Sequence, residues 1–185
     1  MGQLSHVGSH YEADDQQGLR ILVVGKQTGR GHEHVTMDSR SAQVASAKPE
    51  TARPFPRTPH MEGTAAAIKV LLGSDPDADD ILGGVHVFDR SALVNATLCS
   101  HIPGASAKGQ GTPTMYQRCA THLRRTIDIL EPTVVIAQGW SSGGWSPSRV
   151  VAEALGLPAT PARNSDTLIK RPHRPLGFVA LVHRR

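Results

Sequence analysis

ILVVGKQTG, residues 21–29, decides how the rest of the chain is read. Four consecutive apolar residues, three of them β-branched, close on a glycine and give way to a polar turn. A continuous apolar run marks a strand covered on both faces, as at the centre of a parallel sheet, whereas a half-exposed strand alternates. Two further segments share this design. SALVNATLCS, residues 91–100, interrupts its apolar run with Asn95, and GFVALVH, residues 177–183, closes on His183. Each would bring polar groups to the C-terminal end of a strand, where open α/β sheets build their sites.

Working outward, residues 1–18 are polar and aperiodic and are expected to form a disordered leader, with one domain over 19–185. The strand at 20–25 runs into residues 26–60, a long stretch rich in Gly, Ser, Thr, Pro and His without periodicity. Residues 64–72 (TAAAIKVLL) read as a helix, with Thr64 near its N-cap and Gly73 after its end. Strands are expected near 85–88 and 92–96, and a Gly/Pro/Ser-rich loop at 100–113. Residues 114–130 are the clearest helix. Met115, Cys119, Leu123, Ile127 and Leu130 fall on one face, and Pro132 stops it. A buried strand at 133–138 follows, then a Gly/Ser/Trp loop. A helix comes next at 147–155 between the N-cap Ser146 and Gly156, and the last strands at 168–170 and 178–183. Alternating strands and helices predict a three-layer α/β/α sandwich around a central, mainly parallel sheet.

Composition bounds the function. A length of 185 residues with 38% hydrophobic content suits one globular domain. No apolar run is long enough to span a membrane, and the N-terminus has no signal-like apolar region, so a cytoplasmic protein is expected; a monomer is expected as well. Two cysteines, Cys99 and Cys119, are too few for a disulfide framework or a full zinc site. Charge is unevenly spread. Residues 161–185 carry Arg163, Lys170, Arg171, Arg174, Arg184 and Arg185 against Asp166 alone, a net +5, so the other 160 residues of this +4 chain sum to −1. Such a cluster either grips phosphates or solubilises a tail.

Individual residues leave alternatives open at this stage. GKQTGRG, residues 25–31, matches neither the P-loop nor the dinucleotide fingerprint, and reads as a tight turn or a ligand loop. His32, Glu33 and His34 lack a third metal ligand nearby, so no metal is expected. Asn95 either caps a turn or offers a paired donor and acceptor to a nucleobase edge. His183 either stabilises developing charge at a strand end or belongs to the basic tail.

Taken in order, these segments resemble the uracil-DNA glycosylase superfamily over roughly residues 18–185. There a strand ends in a G-x-(D/A/N)-P-(G/Y) turn that positions water; here the turn is Gly25-Lys26-Gln27-Thr28-Gly29. A strand-end Asn reads the base, matched by Asn95. Cys99, the following loop, Cys119 in its helix and VVIAQG at 134–139 follow the order of the iron–sulfur branch, and ALVHRR supplies the family histidine as His183. Pro54-Phe55 resembles the aromatic on which the flipped base stacks.

The resemblance implies hydrolysis of the N-glycosidic bond of uracil or a related deaminated base flipped from DNA. It assigns Gln27 and His183 to catalysis, Asn95 and Phe55 to the base, and places Lys170, Arg171, Arg174 and Arg184 on phosphates. Departures are clear: Gln27 stands for a carboxylate, Thr28 for the turn proline and Arg184-Arg185 for Pro-Ser, and the family's wedge loop, which follows its histidine, is expected to be missing. With two of four cluster cysteines, no iron–sulfur centre and no other cofactor is expected. The alternatives are a non-catalytic nucleic-acid-binding member of the fold and a small-molecule nucleotide or nucleoside binder.

Overall fold

A computed structural model describes residues 5–16, 18–25, 42, 44, 59–97, 112–139, 146–156 and 178–182, with backbone alone at 59, 60 and 178–182. In chain order the elements are β1 (His6–Val7), β2 (Ile21–Gly25), α1 (Pro59–Leu71), β3 (Ile81–Leu82), β4 (Val85–His86), β5 (Ser91–Asn95), α2 (Pro113–Leu130), β6 (Val134–Gln138), α3 (Pro147–Ala154) and β7 (Phe178–Val182). Short 3-10 turns stand at Asp14–Gln16 and Val87–Arg90.

The apolar runs at 21–25, 91–95 and 134–138 become the sheet's centre, and the run at 178–182 an edge. The strand order is β1-β5-β2-β6-β7, with β2 parallel to both β5 and β6 and antiparallel strands at the two edges. Every residue of β2, β5 and β6 is buried, which is why their sequences run apolar without alternating. Leu22, Val24, Val94 and Val135 pack on one face against Leu123 of α2 and Val150 of α3. Ile21, Val23, Leu93 and Ile136 pack on the other against Ala65 and Ile68 of α1, with Phe88 of the second 3-10 turn. The chain is therefore mixed α/β, parallel at its centre, with helices on both faces.

Local chemistry sets the helix ends. The Thr112 hydroxyl accepts from the Met115 N–H and caps α2, and Ser146 does the same for α3 through the Arg149 N–H. A proline opens the first turn of each, where a missing N–H costs nothing. Glu131 ends α2 in the left-handed region at φ 44°, and Pro132 follows. The buried face of α2 is Tyr116, Cys119, Ala120, Leu123 and Ile127; Met115 and Leu130, expected on it, lie at its margins.

Four expectations change. Residues 5–16 belong to the fold instead of forming a leader: β1 extends the sheet beside β5, and Tyr11 is buried in the α2 side of the core. Arg90, itself buried, holds Asp15 at 2.8 Å. The helix expected at 64–72 begins five residues earlier at Pro59, whose fixed φ suits a first turn, so Thr64 is an interior residue and not a cap. The strand expected near 85–88 is only the two-residue β4, paired in a hairpin with β3, before the chain tightens into the 3-10 turn. Finally, β7 runs antiparallel to β6, with Phe178 opposite Gln138 and Val182 opposite Val134. An antiparallel edge strand on a parallel sheet is a common arrangement. The strand expected at 168–170 lies outside the described residues.

Candidate functional site

The parallel register brings three strand ends into one row. Gly25 stands opposite Asn95 of β5 on one side and opposite Gln138 of β6 on the other. The chain goes from β2 to β5 on one flank, then crosses to β6 on the other, so the topology reverses between β2 and β6. Ligands of open α/β sheets bind in the crevice outside the strand C-termini at such a reversal. Strand alternation puts Gly25, Asn95 and Gln138 on the α1 face, two residues beyond Val23, Leu93 and Ile136.

Between the two carboxamides the row is interrupted by a glycine. Asn95 and Gln138 are two strand spacings apart, roughly 10 Å between Cα atoms, and Gly25 places no side chain between them. Both are buried, at 5% and 1% exposure. Burial of an amide demands hydrogen bonds. The Thr64 hydroxyl of α1 donates to Gln138 Oε1 at 2.6 Å, and both Asn95 and Gln138 make further interactions. The backbone is pinned too: the Ala96 N–H donates to the Gly25 carbonyl at 2.8 Å, just past Asn95. Gly139, directly after Gln138, takes φ 108°, a conformation open to glycine.

Two carboxamides offer donors and acceptors in fixed planes without charge. That chemistry suits the edge of a planar amide or imide such as a nucleobase. Neither group titrates, so proton transfer is not a task these two side chains perform.

Of the residues singled out from sequence, Asn95 occupies this row. Gln27, Phe55, Lys170, Arg171, Arg174, His183 and Arg184 lie outside the described residues, as does Cys99. The direction of β7 bears on one of them: the strand begins at the edge with Asn95 and Gln138 and ends at the opposite edge. Gln138 and Thr64 join the row without a sequence motif that assigns them to it. A polar amide closing the apolar run VVIA is the same signal that marks Asn95 and could have found Gln138. Thr64 is legible only once α1 is seen to cross the sheet there.

A separate cleft of about 280 Å³ opens at the other end of the sheet, where β2 and β6 begin, lined by Arg20, Arg124, Asp128 and Glu131 among others. Its charges are matched internally. Arg20 Nη1 lies 3.4 Å from Glu131 Oε2, and Arg124 Nε lies 3.0 Å from Asp128 Oδ1. Among the described residues no group of three or more His, Cys, Asp or Glu side chains could hold a metal ion, and Cys119 is a buried free thiol. Among the same residues no helix is long and apolar enough to cross a membrane. In comparisons with known proteins, no family model, curated protein or solved structure matches this chain.

Proposed function

We propose that the protein is an N-glycosylase of the uracil-DNA glycosylase type, a three-layer α/β/α sandwich acting on uracil or a related deaminated base flipped out of DNA. The observation that carries the reading is the row Asn95–Gly25–Gln138: a buried carboxamide on each side of a glycine, at the reversal point of the sheet. In this reading Asn95 reads the base edge and Phe55 stacks on its face. Gln27 orients the attacking water; β7, which precedes His183 in the sequence, ends at the edge away from Asn95, so the leaving-group role that the resemblance assigns to His183 is not carried to this row. Lys170, Arg171, Arg174 and Arg184 hold phosphates.

The test is release of free uracil from single- and double-stranded oligonucleotides carrying one deoxyuridine. Release by the purified chain is expected. Asn95→Ala should lower the rate at least ~10²-fold, the usual loss when one stabilising donor is removed. Absence of release at high protein concentration would sink the enzyme reading.

One observation favours a second reading. Because β7 ends at the edge away from Asn95, the chain leaves that strand far from the base-reading row. A nucleic-acid-binding protein that recognises a base without hydrolysing its bond needs no histidine at the row. It would bind DNA in a salt-dependent way, release no base, and keep its affinity after His183→Ala.

A further inference from the structure

The exposed side of α2 carries Arg118, His122 and Arg125. Their i, i+4, i+7 spacing stacks them along one stripe of the helix, on the side away from Tyr116, Leu123 and Ile127. The only acid on α2 is Asp128, and Arg124 takes both its carboxylate oxygens, at 3.0 and 3.2 Å. Arg124 is thus neutralised. Among the described residues no ion pair engages Arg118 or Arg125. Two guanidinium groups about 10 Å apart along the helix axis, with an imidazole between them, form a cationic ridge that no acid among the described residues pairs.

The ridge also has a position. The last residues of α2 lie where the strands begin, since Tyr11 Oη donates to the Leu130 carbonyl and Arg20, just before β2, contacts Glu131. The helix therefore runs against the parallel strands. Its first turns, with Arg118 one turn further in, lie toward the edge that holds Asn95 and Gln138.

We propose that this ridge is a phosphate-contact surface for a nucleic-acid strand that leaves the base-reading edge and passes over α2. The proposal rests on the nucleic-acid reading of that edge and adds a surface to it, distinct from the basic residues 163–185. Guanidinium groups suit the partner because they meet phosphate oxygens through paired N–H donors. Backbone contacts of this kind release counterions, so each leaves its mark on the salt dependence of binding.

The experiment measures binding of the full chain to a fluorescent single-stranded oligonucleotide containing one deoxyuridine, across roughly 50–200 mM salt. The Arg118→Gln/Arg125→Gln double variant should weaken binding. It should also lower the slope of log affinity against log salt by about 1.4, two single-strand contacts at ~0.7 each. Arg118→Lys/Arg125→Lys should restore most of the slope, because charge is kept. Thermal unfolding of both variants serves as the folding check, and no shift is expected at these exposed positions. An unchanged slope in the Gln variant would overturn the ridge and leave the base-reading edge standing. Absence of salt-dependent binding by the unaltered chain would overturn both.

Discussion

Asn95 and Gln138 are chemically the same kind of event: an amide at the end of an apolar strand, buried where burial must be matched by hydrogen bonds. Asn95 was legible in the sequence because asparagine is unusual in strands. Gln138 reads from sequence alone as the polar end of a strand entering a loop. What singles it out is the register beside Gly25 and the Thr64 hydroxyl, and both depend on contacts between segments 74 or more residues apart in sequence. Thr64→Val keeps the shape of the side chain and deletes that hydroxyl. Leaving a buried acceptor short should cost about 1–3 kcal/mol, read as a lower urea midpoint. Thr64→Ser should recover most of it. A full-strength Thr64→Val variant would mean that the 2.6 Å bond adds nothing to the folded state.

At the scale of elements, the apolar runs identified β2, β5 and β6 nearly to the residue, because strands buried on both faces have no polar side to confuse the pattern. Direction was less legible. Buried parallel and antiparallel strands carry the same residues, so FVALV says that a strand exists and not which way it runs. The N-terminal segment misled for another reason: its residues are polar, and what orders them is a few specific contacts. The Gly8 N–H donates to the Ser91 carbonyl and the His10 N–H to the Asp89 carbonyl, at 3.0 and 2.8 Å. A Cβ on Gly8 would land on the Asp89 backbone, so even alanine cannot enter without moving the strand. Gly8→Ala is therefore expected to destabilise. Removal of residues 1–16 should do more, because it takes away β1, the Asp15–Arg90 ion pair and the buried Tyr11 ring. The loss of an aromatic side chain alone is worth about 3–5 kcal/mol. A truncated chain with an unaltered unfolding midpoint would return the segment to the status of a leader.

For the whole molecule, two helix-covered faces meet at a sheet whose two ends differ in kind. One end holds the uncharged carboxamide row; the other holds a cleft with paired charges. The core also carries two phenols that resist ionisation. Burial pushes Tyr11 well above its usual value of 10.0 and raises Tyr116 as well. In the unfolded chain both release their protons near the ordinary value, so unfolding gains once the pH passes it. Stability should be full below about pH 10 and fall above it. Urea midpoints across that range check the sign, and Tyr11→Phe should flatten part of the fall.

The central claim is that the Asn95 edge reads a base, and selective binding tests it most directly. Two single-stranded oligonucleotides differing only in one deoxyuridine or deoxycytidine, whose base edges carry donor and acceptor in reversed places, are titrated into the full chain and into Asn95→Ala. The account predicts tighter binding of the deoxyuridine strand, by at least ~10-fold for a site that matches the base edge by hydrogen bonds. That preference should be lost in Asn95→Ala while general, salt-dependent affinity remains. Equal affinity for both strands, or a preference that survives the loss of Asn95, would contradict it.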